Sequence, residues 1–76
     1  MRDEIIEILN SVHPEVDYET ETNLIDGRIF DSFDVVTVVS ELIDTYDVEI
    51  TAECMTPENF NSVDAIVALI ERLEEE

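Results

Sequence analysis

Three stretches of this chain place apolar residues at three- and four-residue steps, which limits what it can fold into. They are Ile5, Ile6, Leu9 and Val12; Phe33, Val36, Val39, Ile43 and Tyr46; and Val63, Ile66, Val67, Ile70 and Leu73. Such spacing puts each set on one face of a helix. With only 76 residues, the chain makes one small domain, residues 1–76, whose core must come from those three faces. The expected class is all-α.

The first stretch predicts a helix from about Arg2 to Val12. Asp3 and Glu4 suit its positive end. Pro14 stops it and disfavours helical geometry at His13. Residues 14–31 lack a helical period over most of their length. Glu15, Asp17, Glu19 and Glu21 alternate with Val16, Tyr18 and Thr20, as a strand would. No second strand signal offers a partner, so a long ordered loop is expected instead. Leu24, Ile25, Ile29 and Phe30 are its expected anchors, and Gly27, the single glycine, is the expected turning point.

The second helix is expected over Ser32 to Tyr46. Asp31 is a good N-cap, and Asp34 three residues on resembles a capping-box partner. Val35, Val38 and Leu42 widen the apolar face. Valines are poor helix formers, so tertiary packing must hold this helix; a strand over residues 35–39 is the main alternative. Thr56 and Pro57 read as the cap and first residue of a short helical turn. A last helix is expected over about residues 62–73, with Glu74, Glu75 and Glu76 as a solvated, frayed tail.

Twenty-one acidic residues oppose three basic ones, for a formal charge of −18. That field repels nucleic acid and anionic membrane surfaces. It favours fast, salt-sensitive encounters with basic patches on other proteins. Solubility alone needs far less charge. The lone Cys54 forms no intrachain disulfide, and nothing basic lies near it, so a buried or half-buried thiol is expected. The Ile5 to Leu9 stretch, broken by Glu7, is too short for a signal peptide, and no run could span a bilayer. A cytoplasmic location is expected. Asp26, Asp31 and Asp34 do not match an EF-hand, so no dedicated metal site is expected. His13 reads as a helix-end residue without a catalytic role. The chain has no glycine-rich phosphate loop and no nucleophile–base pair, and it is not expected to be an enzyme.

Taken alone, Ser32 reads as a plain helix cap. Its surroundings change that reading. The run Asn23-Leu24-Ile25-Asp26-Gly27-Arg28-Ile29-Phe30-Asp31-Ser32-Phe33-Asp34-Val35-Val36 resembles the phosphopantetheine attachment region of acyl carrier proteins, whose hallmark is Asp-Ser-Leu or a close variant opening helix two. Tyr46-Asp47-Val48-Glu49-Ile50 resembles that family's end of helix two, and Thr56-Pro57-Glu58-Asn59-Phe60-Asn61-Ser62-Val63-Asp64-Ala65-Ile66 its third-to-fourth helix junction. The resemblance covers nearly the whole chain. It implies a small four-helix bundle, three main helices plus a short one, with a long loop between helices one and two.

It also implies that a phosphopantetheinyl transferase uses coenzyme A to attach 4'-phosphopantetheine to Ser32, with Asp31 serving as cap and transferase recognition point. The arm would carry acyl or aminoacyl groups as thioesters between an activating enzyme and downstream transferases. By the same resemblance, Asp34, Glu41, Asp44 and Asp47 meet basic patches on those partners, and Phe33 replaces the usual Leu beside the arm. Phe30 likewise stands where a small residue is commoner. Asp-Ser-Phe also occurs in carriers resembling D-alanyl carriers and those encoded beside amino-acid-activating enzymes. It tilts the cargo towards amino acids or specialised acyl groups. A monomer is expected. The competing reading is a non-carrying acidic helical module, an adaptor or nucleic-acid mimic. Ser32→Ala separates the two: it abolishes function only in a carrier, at about 1 kcal/mol through any lost cap.

Overall fold

Helix boundaries follow local chemistry over most of the chain. The computed structural model describes residues 1–14 and 16–75. They hold α1 (Arg2–Val12), α2 (Ser32–Tyr46), a 3-10 turn (Ala52–Cys54), α3 (Pro57–Phe60) and α4 (Val63–Glu75). The fold is therefore all-helical, with three long helices and a short one, and no strand occurs among the described residues. α1 packs on both α2 and α4, and α3 packs on α4.

The first two helices lie where periodicity and capping residues put them. The strand alternative at residues 35–39 fails because Val38 and Val39 are buried with Leu42 along one helical face. Packing outweighs the valines' weak helix preference. The core joins Ile5 and Leu9 of α1 to these three, to Val63, Ile66, Leu69 and Ile70 of α4, and to Tyr18, Leu24, Phe30, Ile50 and Phe60.

The expected stripe on α2 is rotated. Phe33 is 83% exposed, Val36 52% and Ile43 38%, while Val38 and Leu42 are fully buried. The residues expected to widen the face are its centre, and much of the expected stripe faces solvent. On α4, Leu69 joins the buried face, while Val67 and Leu73 pack only partly. This helix opens at Val63, with Ser62 Oγ accepting from Ala65 N–H at 3.1 Å. It runs to Glu75, past the expected end, so Glu74 and Glu75 are helical and exposed. The expectation for Glu76 lies outside the described residues. Thr56 is the N-cap of α3 but makes no side-chain cap bond; Pro57 at the first position supplies the helical φ instead.

Between α1 and α2 the chain turns at residues 18–20 and 24–28. The expected alternation here does not form a strand among the described residues, and Glu15 lies outside them. Leu24 and Phe30 are buried anchors; Ile25 and Ile29 are half-buried. Tyr18, unanticipated as an anchor, is buried too. Its hydroxyl sits against the end of α1, sharing its one proton between Leu9 O, at 3.1 Å, and His13 O; Leu9 O also accepts from His13 N–H. Burial, and then the charge of Asp34, push its pKa up to about 12. Its ring and that of His13 pack at tilted angles on Phe30, with centroids 6.2 and 5.8 Å away.

Gly27 is needed for space rather than for an unusual dihedral. A Cβ there would lie 2.6 Å from Asn23 O. The left-handed residue of this turn is its neighbour Arg28, at φ 61°. Asp47 closes α2 in the same region, at φ 53°, its N–H donating to Ile43 O at 2.9 Å.

Candidate functional site

Asp31 and Asp34 build the start of α2 between them. Asp31 is extended, at φ −96° and ψ −174°. Its Oδ1 accepts from Asp34 N–H at 2.9 Å, and its own N–H donates to Asp34 Oδ2 at 3.4 Å. The reciprocal pair is a capping box with aspartate in the place usually held by glutamate. Asp31 O takes the first intrahelical bond, from Val35 N–H at 3.0 Å.

The cap thus belongs to Asp31, and Ser32 follows it as the first helical residue. Ser32 is exposed, and among the described residues its hydroxyl takes no hydrogen-bond partner. The backbone N–H groups of Ser32 and Phe33 precede the first helical turn's bonds and have no backbone acceptor among the described residues. A hydroxyl is therefore presented beside two open donors and the positive end of a helix dipole.

An open hollow of about 350 Å³ adjoins it, lined by Ile25, Phe30, Val35, Val36 and Met55 together with Asp31 and Ser32. Apolar side chains thus come within reach of the serine from three places: the turn before α2, α2 itself, and the segment before α3. Sequence spacing gave no sign of Met55, which lies 23 positions from Ser32. Its 36% exposure marks a side chain standing partly free at the hollow.

The other singled-out residues separate into two sets. Phe33, Val36 and Asp44, with Ser40 between them, follow one another at three- and four-residue steps and share an exposed side of α2, while Asp47, also exposed, is its left-handed C-cap. Glu41, also exposed, lies one residue round from that line. Asp34 is different: it is half-buried, and its carboxylate is engaged with Asp31. His13 is the C-cap of α1. Cys54 is a free, half-buried thiol with Thr51 Oγ1 3.8 Å from its sulfur. Among the described residues, no group of three or more His, Cys, Asp or Glu is placed to hold a metal ion, and no helix is long and apolar enough to cross a membrane.

No family model matches the chain, and no curated protein matches it significantly. Any functional reading therefore rests on the residues and their geometry.

Proposed function

We propose that the chain is an acyl carrier protein, a four-helix bundle with a long first connection that carries acyl or aminoacyl groups on 4'-phosphopantetheine attached to Ser32. One observation carries this reading: the Ser32 hydroxyl stands exposed, and unpartnered among the described residues, at the first position of α2 while Asp31 does the capping. A serine retained only as a cap would sit one residue earlier and use its oxygen on the N3 amide.

The chain's part in loading is to offer a nucleophile. Ser32 Oγ would attack the pantetheine-side phosphorus of coenzyme A. A new P–O bond forms, the pyrophosphate P–O bond breaks, the nucleotide leaves, and the serine proton passes to the transferase. The product is an anionic phosphodiester, which the open N–H groups of Ser32 and Phe33 and the helix dipole would favour. Once attached, the arm supplies a terminal thiol on which cargo travels as a thioester. The hollow between Ile25, Phe30, Val36 and Met55 gives the arm or a short apolar cargo a surface to rest on.

Partners would read α2. Phe33 and Val36 offer apolar contact next to the serine, and Asp44, Asp47 and Glu41 offer charge further along. Individual exposed pairs contribute about 0–1 kcal/mol, so their value lies in encounter and orientation, with ready release afterwards. The partners are a phosphopantetheinyl transferase, an acyl- or aminoacyl-activating enzyme and downstream transferases with basic patches; the carrier itself is a cytoplasmic monomer without catalytic activity.

Incubation with coenzyme A and a broad-specificity transferase, read by intact-protein mass spectrometry, tests the reading. The expected result is one added phosphopantetheine on the native chain and none on Ser32→Ala. An unmodified native chain, alongside a control carrier that is modified, favours the non-carrying acidic module instead.

A further inference from the structure

One residue far along the chain organises the turn that leads into Ser32. Three successive backbone N–H groups, of Leu24, Ile25 and Asp26, all end on Asn61. Leu24 N–H donates to Asn61 O at 2.9 Å, and those of Ile25 and Asp26 donate to Asn61 Oδ1, each at 3.0 Å. The other side of the same amide, Nδ2, donates to Asp26 Oδ2 at 3.0 Å. This orientation alone satisfies the set, because two N–H donors meet the oxygen and a carboxylate meets the NH₂. Asn61 thus acts on the 24–28 turn as an N-cap acts on a helix, but from 35 positions away.

The turn then closes on itself and delivers the chain to α2. Gly27 N–H reaches Asn23 O at 2.7 Å, Arg28 N–H reaches Ile25 O at 3.0 Å, and Phe30 N–H reaches Leu24 O at 2.9 Å. Phe30 immediately precedes the capping aspartate. Ile25 and Phe30 also line the hollow beside Ser32. Asn61 itself follows α3 directly, with its N–H on Pro57 O at 2.9 Å, so the bonds tie the α3–α4 junction to the approach to the serine.

We propose that Asn61 is a positioning residue for Ser32: by clasping residues 24–26 it holds one pose of the α2 start and of the hollow's turn side, the pose in which a transferase meets the hydroxyl. This role rests on the carrier reading. The Asp26 carboxylate gives it a chemical signature. Asn61→Asp keeps the acceptor for both N–H groups but sets a carboxylate against Asp26. Adding Asp26→Asn restores the donor–acceptor pair with its ends exchanged.

Two measurements are made on the full chain. Amide hydrogen exchange reads the clasp, and the kinetics of phosphopantetheine transfer read the positioning. Asn61→Ala is expected to speed exchange at Ile25 and Asp26 about tenfold, with the core amides of α1 and α4 still protected. It is expected to lower kcat for transfer onto Ser32 severalfold, more than it raises KM. Asn61→Asp does the same, and the double variant Asp26→Asn, Asn61→Asp recovers both readouts. Ile70→Val, a comparably destabilising change inside α4, leaves transfer at the native rate. Transfer at the native rate in Asn61→Ala despite opened clasp amides overturns the positioning role. Unchanged exchange in that variant overturns the clasp itself. A native chain that accepts no arm while its clasp amides stay protected removes the carrier reading and this role together, which the exchange data distinguish from loss of the clasp.

Discussion

Asp31 and Ser32 are adjacent in sequence and hold opposite relations to the fold. The aspartate closes a reciprocal cap with Asp34, whereas the serine oxygen bonds nothing among the described residues. Removing each therefore has a different consequence. Asp31→Ala strips an acceptor from a helix start and is expected to cost about 1 kcal/mol, or about 4–8 °C in Tm for a domain of this size. Ser32→Ala is expected to shift stability by no more than about 0.5 kcal/mol, as for a surface change without a partner. The loss of about 1 kcal/mol expected from sequence belongs to its neighbour. Thermal melts of the two variants, set against their phosphopantetheine transfer, check this. A large melting shift in Ser32→Ala would show that the hydroxyl has a structural partner after all. The motif Asp-Ser was legible in the sequence. So was the cap, because Asp31 and Asp34 stand at capping-box spacing before an apolar period; the backbone geometry removes the other reading, in which Ser32 itself caps.

At the scale of the element, α2 shows how far periodicity reaches. Its apolar residues fall on two overlapping sets, Phe33-Val36-Val39-Ile43-Tyr46 and Val35-Val38-Leu42, and both have helical spacing. The hydrophobic pattern fixes that a helix forms there. It does not fix which set turns inward, since that depends on where α1 and the 13–31 segment present their own side chains. The burial of Val38, Val39 and Leu42 leaves Phe33, Val36 and Ile43 outside. The clasp by Asn61 escaped the sequence for a related reason: apart from the Asp26 carboxylate, its partners in the 24–28 turn are backbone N–H groups, which have no residue identity to read. Two substitutions separate the faces. Leu42→Ala empties a fully buried site and is expected to cost about 2–5 kcal/mol, enough to unfold much of a small domain at ambient temperature. Phe33→Ala removes a ring that is 83% exposed, so the melt should stay within about 0.5 kcal/mol of the native one. Its effect should appear instead as a higher KM with a phosphopantetheinyl transferase. If Phe33→Ala melts early and binds normally, the exposed side of α2 is structural and its role in recognition is lost.

Over the whole molecule the governing quantity is charge. A formal −18 is carried by a body whose longest extent is 32 Å and whose radius of gyration is 11.1 Å. Of the three basic residues, Arg2 pairs with Asp64, Arg72 donates to Asn59, and Arg28 has no carboxylate partner among the described residues. Most of the negative charge is thus uncompensated. In about 0.01 M salt the screening length is about 30 Å, so nearly every carboxylate feels nearly every other; at about 1 M it falls to about 3 Å and only immediate neighbours interact. Repulsion opposes the compact state more than the expanded chain, where the same charges stand further apart. Added salt should therefore raise Tm. The same salt screens attraction to a basic partner and should lower the association rate. The two responses have opposite signs and one cause, since screening weakens repulsion within the chain and attraction between chains alike. Melts across a sodium chloride series, beside stopped-flow binding to a transferase at the same concentrations, read both. Magnesium should act more strongly than sodium at equal ionic strength, yet rise gradually rather than saturate at one ion per chain, because the acids are spread over the surface rather than gathered around a site. A Tm indifferent to salt would mean that the helices already space these charges beyond mutual reach, and the acidic surface would then owe its charge to its partners alone.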